Sequence, residues 1–231
     1  MTETVSVVIA AHNAERYLGE CLDSVLDQTM PPDQVIVVDD GSTDGTAALL
    51  RTYSQRVTVI RQPNGGQASA LAAGLALATG SCLAFNDADD LWTPHKQERQ
   101  LAAMAADPGV DVVFGQSEQF VSPELDSAEQ LRFAPRTAIL TGEIAQAALI
   151  RRHCLVRVGG IDPTLRGAGF ADWLARLKAA GFRGAVLPEV VHRRRLHPDN
   201  YGRTHQEERD RHLLAVLRQQ IARRREQTSR A

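Results

Sequence analysis

Cysteine is scarce in this chain: Cys21, Cys82 and Cys154 are the three among 231 residues, each in an apolar setting and far from the others. Such scatter argues against a disulfide framework or a zinc site. It predicts buried thiols in a reducing compartment, hence a cytoplasmic protein. Long apolar runs are missing as well. No uncharged stretch approaches the ~18 residues that span a bilayer, and Met1-Thr2-Glu3-Thr4 lacks the basic-then-apolar order of a signal peptide. The chain has no Gly-x-Gly-x-x-Gly and no Gly-Lys-Ser/Thr loop, which argues against a dinucleotide fold or a P-loop enzyme. It also has no Gly-x-Ser-x-Gly elbow and no His-Glu-x-x-His, which disfavours a standard hydrolase or zinc protease.

What is present is ordinary globular material. Hydrophobic residues make up 43% and charged residues 23%, enough for one generous domain or two small ones. Charge is uneven, however. Residues 192–231 hold eleven Arg against five acidic residues, a local balance of +6, so the first 191 carry −8 of the net −2. A basic tail favours phosphate or anionic lipid nearby. The whole is not an evenly basic nucleic-acid binder, and no nucleic-acid partner is expected.

The first third repeats one pattern. Val5–Ile9, Val35–Val38, Val57–Ile60 and Ser81–Phe85 are short apolar runs typical of strands buried on both faces. Between them lie helical segments. The first carries Tyr17, Leu18, Cys21, Leu22, Val25 and Leu26 behind Asn13 as a cap, and the third is the Ala-rich stretch 67–79. This alternation predicts right-handed βαβ units and a mostly parallel sheet flanked by helices. Thr93-Pro94 predicts a capped helix through Met104, and Val112–Phe114 another strand. Residues 116–140 show no readable structure. Helices are predicted around 143–158 and 171–180, a strand at Gly184–Leu187, and an Arg-rich amphipathic helix over about 205–225.

In a parallel sheet the ligand sits beyond the carboxyl ends of the strands. Here those ends carry His12-Asn13, Asp39-Asp40 and Asn86-Asp87-Ala88-Asp89-Asp90. Three polar clusters at three such ends predict one site. Asp87 and Asp89, two apart at a strand end, place two carboxylates together, which suits Mg²⁺ or Mn²⁺ bridging to phosphate. Asp39 and Asp40 can accept from a nucleobase imide or ribose hydroxyls, or they simply shape an Asp-Gly turn.

The segments Val8–Leu18, Val37–Thr46, Asn64–Ala70 and Phe85–Asp90, in that order, resemble family 2 glycosyltransferases. The resemblance is strong over roughly 5–110 and traceable over 142–202. It implies the GT-A fold, an inverting mechanism and a nucleotide-diphosphate sugar donor, UDP-linked by preference. The backbone of Ala10, Ala11, His12 and Asn13, with Glu15 and Asp39, would then hold the base. Asp40, Gly66, Asp87, Ala88 and Arg195 would complete the donor site, and Asp89 and His197 would hold the cation. The acceptor stays open: a saccharide, a lipid-linked precursor, a peptide or a small molecule. The implied division is a nucleotide-sugar half over 1–115, an acceptor half over 116–204 and a basic helix over 205–231. That helix would dock on the domain, pair two copies, or touch the inner face of a membrane.

Three departures stand out. Ala10 replaces a usual proline, Leu71-Ala72 replaces a usual Arg-Asn, and Gly169-Phe170 stands where such enzymes keep a Glu-Asp pair. Asp172 is the one carboxylate left there and becomes the candidate base. Two competing readings follow: a catalytically impaired donor-binding protein on the same fold and, more distantly, a nucleotidyltransferase.

Overall fold

The computed structural model describes residues 3–166 and 168–200, together with Arg211, Leu214 and Val216. Strands β1 (Val5–Ala11), β2 (Gln34–Asp40), β3 (Thr58–Gln62) and β4 (Cys82–Asp87) alternate with helices α1 (Leu18–Leu26), α2 (Thr46–Thr52) and α3 (Gln67–Leu77). After β4 come β5 (Leu91–Trp92), α4 (Lys96–Ala106), β6 (Val112–Val121), α5 (Ser127–Phe133) and β7 (Ile139–Leu140). A single 3-10 turn at Ala145–Ala147 leads into β8 (Ala148–Arg151), α6 (Arg152–Val158), α7 (Gly169–Ala179) and β9 (Gly184–Leu196).

One sheet runs through both halves in the order β3-β2-β1-β4-β8-β6-β9-β5, with β7 beside β6. The first four strands are mutually parallel, and β9 is parallel to β6, while β8 is antiparallel to both its neighbours. This is the mostly parallel, helix-flanked α/β architecture read from the sequence.

Alternation along β1 divides the core. Val5, Val7 and Ile9 pack with Leu18, Leu22 and Val25 of α1, Leu50 of α2 and Met104 of α4. Val8 faces the other way, onto Ala70, Leu71 and Leu75 of α3 and Trp173 and Leu177 of α7. Both faces of β1, β2 and β4 are covered, as their continuous apolar character requires, whereas β3 at the sheet edge stays largely exposed.

Several local expectations are corrected. Asn13 does not cap α1, whose first turn begins after Tyr17; Asn13 instead sits at φ 49° in the loop. Thr93 gives its hydroxyl to Val190 O, and α4 starts at Lys96 behind His95. The stretch 116–140 is structured. It completes β6 and forms α5, on which Asp126 accepts from the Ala128 and Glu129 N–H groups in a capping box. The helix predicted around 143–158 is interrupted by a strand: Ala148–Arg151 is inserted between β4 and β6, and the helix forms only over Arg152–Val158. The strand predicted at Gly184–Leu187 continues to Leu196. The helix predicted over 205–225 lies outside the described residues except for Arg211, Leu214 and Val216, of which Val216 is buried with Leu165 and Ala168.

Candidate active site

The register of the central strands builds the cleft. Ala11 pairs with Asp39 on one side of β1, and Ala10 with Asp87 on the other. Two strand spacings separate those carboxylate-bearing positions, roughly 10 Å. Between them β1 contributes only methyl groups, so small side chains form the floor of a cleft with acidic walls.

Side chains of the β1–α1 loop are engaged in fixing its rim. Asn13 Oδ1 accepts from the Thr43 N–H at 2.8 Å, and the Asn13 N–H donates to Ser42 Oγ at 3.0 Å. Glu15 Oε2 accepts from the Gly45 N–H at 2.6 Å. Asn13 and Glu15 therefore join this loop to the β2–α2 loop. His12 is exposed, with Nδ1 2.8 Å from the Asp40 carbonyl and its ring beside the Asn64 amide, 3.3 Å away.

Asp39 and Asp40 differ in role. Asp40 is fully engaged: Oδ1 accepts from Gln62 Nε2 at 2.7 Å and the Gly65 N–H at 2.8 Å, and Oδ2 accepts from the Gly66 N–H at 2.8 Å. It anchors the loop before α3, where Gly66 takes φ 86°, a conformation that suits glycine. Asp40 is held in place by the loop it anchors. Asp39 accepts from the Ser42 N–H through Oδ1 at 2.8 Å and meets Arg61 Nε through Oδ2 at 3.3 Å. Arg61 is more than half exposed and closes this end of the cleft.

The Asp87–Asp90 segment departs from strand alternation. β4 ends at Asp87, and the Asp90 N–H donates to the Asp87 carbonyl at 3.1 Å, so a turn carries Asp89 away from its neighbour. Asp87 is held by two amides, Gln67 Nε2 from α3 and Gln146 Nε2 from the 3-10 turn, each at 2.8 Å. Burial, and then the charges of Asp90 and Asp89, push its carboxyl up to about 7. Ala88 turns its methyl onto the core.

Asp89 reaches the end of β9 instead. Its Oδ2 lies 2.9 Å from His197 Nε2 and accepts from Asn200 Nδ2 at 3.0 Å. Burial opposes its ionisation, yet the His197 hydrogen bond and charge prevail and hold its carboxyl below the ordinary range. His197 Nδ1 is buried without a hydrogen-bond partner among the described residues. A carboxylate oxygen and an imidazole nitrogen this close fit a divalent cation that accepts both O and N ligands. Manganese suits that pair at least as well as magnesium.

Beneath the turn, Asp90 accepts from the Arg195 N–H at 2.8 Å and meets His192 Nε2 at 3.1 Å, while His192 Nδ1 meets Ser117 Oγ at 2.8 Å. Burial raises the Asp90 carboxyl and pushes the His192 imidazole down to about 3, so both favour their neutral forms. Arg195 is almost completely buried. Its guanidinium lies between the Tyr17 and Phe120 rings, 4.7 and 4.9 Å from their centroids, and donates to the Asp89 carbonyl, Ser122 Oγ and Glu20 Oε2. These contacts make Arg195 a clamp that holds the Asp89 turn against β9.

The candidate base has a partner in the structure. Asp172 is 2% exposed, and its Oδ2 accepts from Arg176 Nε at 2.7 Å, one helical turn on. Arg176 continues to the carbonyls of Val158 and Gly160, so Asp172 fastens the α6–α7 loop. Nor is there room for the missing acid beside it. A Cβ on Gly169 would lie 2.8 Å from Ile161 Cγ2 and 2.9 Å from Ala68 Cβ. Phe170 packs edge-on against Phe85 and Trp173, with centroids 4.8 and 5.6 Å apart.

Sequence reasoning assigned no role to Arg61, Gln62, Gln67, Gln146, His192 or Asn200, and it named Asp90 only as part of the acidic cluster after β4. For the first two a signal existed. Asp39-Asp40 on β2 lies in register with Arg61-Gln62 on β3, which places each carboxylate opposite its partner.

Comparison with known proteins agrees with this geometry. The family description "Glycosyl transferase family 2" matches residues 6–160. EpsE of Bacillus subtilis (strain 168) is 31% identical over 211 residues, covering 86% of this chain and 75% of that protein. Other curated relatives are longer; the chain spans 31%, 41% and 46% of the length of three of them. Among solved structures, the mannosyltransferase PcManGT from Pyrobaculum calidifontis, in complex with GDP-Man and Mn²⁺, has a TM-score of 0.72 at 26% identity, covering 96% of this chain and 65% of that one. S. aureus TarS in complex with UDP has a TM-score of 0.67 at 21% identity, covering 84% and 61%, and shares the fold. With the acidic cleft at the carboxyl ends of β1, β2 and β4 already in place, these matches settle the family: the chain belongs to the family 2 glycosyltransferases.

Proposed function

We propose that the chain binds a nucleotide-diphosphate sugar in the cleft above Ala10 and Ala11 and transfers the sugar, with inversion, to an acceptor hydroxyl. One observation carries this reading. Residues 108 apart in sequence, Asp89 and His197, are brought together at the carboxyl end of β4, 2.9 Å from atom to atom. A cation held there by Asp89 and His197 would neutralise the diphosphate as it departs. Asp39 and the exposed His12 flank the place of the base. Asp87, oriented by Gln67 and Gln146, faces the ribose or donor sugar.

We take the base to be uracil. A guanosine diphosphate is the competing outcome, since solved structures of this fold hold either UDP or GDP-Man. Calorimetry with UDP and GDP, each with and without Mn²⁺, tests the proposal. Mn²⁺-dependent UDP binding that Asp89→Ala removes is the expected result; equal affinity with and without the metal would refute it.

A second reading has its own observation. The first turn of α7 offers Phe170 where an acceptor-activating carboxylate would stand, and Asp172 is tied to Arg176. The protein would then hold the donor without transferring its sugar. Donor hydrolysis and transfer assays, with and without metal, separate the two.

A further inference from the structure

At the opposite end of the sheet, three ligand types meet that neither the donor cleft nor the proposed transfer uses. Strand β8 runs antiparallel to β4, so its last residue, Arg151, lies beside Cys82 at the start of β4. Asp87, at the other end of β4, is five residues along, roughly 16 Å of strand. The Arg151 N–H donates to the Asp111 carbonyl at 2.9 Å, which brings the start of β6 next to the start of α6. There the ligand atoms of Asp111, His153 and Cys154 all lie within 4.8 Å of one another.

Their arrangement selects between two chemistries. A thiol–imidazole–carboxylate relay needs the thiol and the carboxylate on opposite ring nitrogens, so that one holds the tautomer while the other exchanges the proton. Here both converge on the same atom. His153 Nε2 is 2.9 Å from Asp111 Oδ1 and 3.9 Å from Cys154 Sγ. Three donors around one point is the geometry of a cation site. We propose that Asp111, His153 and Cys154 bind a borderline-soft divalent cation of the zinc class, at the end of the sheet remote from the donor cleft.

The distances suit it. Tetrahedral zinc, with bonds near 2.0 Å to N and O and 2.3 Å to S, sets its ligand atoms ~3.3–3.6 Å apart. For the two pairs with His153, moving from 2.9 and 3.9 Å requires shifts of a few tenths of an ångström, while the Asp111 and Cys154 ligand atoms, within 4.8 Å, close by at most about 1.3 Å. The carboxylate is oriented in advance, because Asp111 Oδ2 accepts from the Arg183 N–H at 2.8 Å and leaves Oδ1 toward His153. Phe182 packs against the imidazole, its centroid 5.7 Å away. Entry is from the His153 side: its side chain is 55% exposed and borders a surface groove with Glu3, Pro108 and Arg151, with Cys154 buried behind it. Three protein ligands leave a fourth position to water. The mixed donor set favours zinc or cobalt over the hard cation suited to Asp89.

The test is a titration of the whole protein with Co²⁺ and Zn²⁺, without nucleotide, in the Asp89→Ala background to silence the donor end. One equivalent of Co²⁺ should give a thiolate-to-cobalt charge-transfer absorption, and Zn²⁺ should displace it and raise the melting temperature by several degrees. Cys154→Ser should remove the absorption. His153→Ala, a change at an exposed ring, should preserve the fold and weaken Co²⁺ binding at least ~10-fold. Absence of the thiolate absorption in a folded sample, or Co²⁺ affinity unchanged in His153→Ala, would overturn the proposal.

Discussion

The walls of the cleft and the first turn of α7 are built from opposite materials. At the carboxyl ends of β2 and β4, every acidic side chain is oriented by named partners: Asp40 by Gln62, Gly65 and Gly66, Asp87 by Gln67 and Gln146, Asp89 by His197 and Asn200. At α7 the corresponding positions hold Gly169, which no Cβ fits, and Phe170, which joins an aromatic cluster with Phe85 and Trp173. One region is organised to receive charge, the other to pack. Under the proposed function, holding a donor and activating an acceptor would be separable, and the two regions should respond differently to substitution.

The largest effect is expected at Asp172. Its carboxylate and Arg176 form a nearly buried pair, and removing one partner of such a pair costs about 3–5 kcal/mol. Asp172→Ala should lower the urea midpoint accordingly while donor affinity, measured on folded protein, stays the same. If the midpoint held and transfer disappeared, Asp172 would return as the base and the contrast between the two regions would fail.

Next comes Asp89→Ala. With the carboxylate gone, His197 alone cannot retain the cation, so the Mn²⁺-dependent part of nucleotide affinity should fall by about 100-fold. Affinity for the free nucleoside, which carries no phosphate, should be unchanged. Calorimetry on both ligands reads the two effects separately.

Lys96 supports the cleft wall from below. Its ammonium is buried over the Trp92 ring, 4.4 Å from the centroid, and donates to Gln100 Oε1 and the Ala148 carbonyl. Gln100 in turn donates to the Ala147 carbonyl, so this pair supports the turn that carries Gln146 to Asp87. Burial pushes Lys96 down to about 7. Between that value and the ordinary lysine value near 10.4, the unfolded chain binds more protons than the folded one. Stability should therefore rise with pH across that window, by at most ~1.4 kcal/mol per pH unit. Lys96→Met should flatten the slope in melting curves taken from pH 7 to 10.

How much of this was legible beforehand depends on what decided each element. The strands β1, β2 and β4 are β-branched or apolar runs buried on both faces, so pattern and structure agree, and their carboxyl ends mark the cleft. Ala148-Leu-Ile-Arg151 was not legible. Its residues are acceptable in a helix, and only pairing with β4 on one side and β6 on the other makes them a strand. The run Arg193-Arg194-Arg195 was read as part of a basic tail near phosphate, yet it continues β9, and Arg195 is buried because Tyr17 and Phe120 cover both faces of its guanidinium. Asp87 and Asp89 were read as neighbours on one strand face. The turn closed by the Asp90 N–H separates them, and local spacing carries no sign of it. The meeting of Asp89 with His197 came from the family resemblance, since no periodicity connects residues so far apart.

The smallest effect should belong to Asp39, where the two roles are hardest to separate. Its side chain is 2% exposed, and both oxygens already have partners in the Ser42 N–H and Arg61. If it only shaped the turn, the neutral Asp39→Asn variant would keep the Ser42 hydrogen bond and change little. If it also faces the base, as its position opposite Ala11 suggests, the variant loses the charge-assisted acceptor that an imide N–H would use. A hydrogen bond to a charged group contributes about 1.5–3 kcal/mol, and part of it survives in the amide. Uridine affinity should therefore fall by about 10-fold, with the Mn²⁺ enhancement of UDP binding intact. A uridine affinity unchanged in Asp39→Asn but reduced in Arg61→Ala would move base recognition to the exposed guanidinium and leave Asp39 as its support.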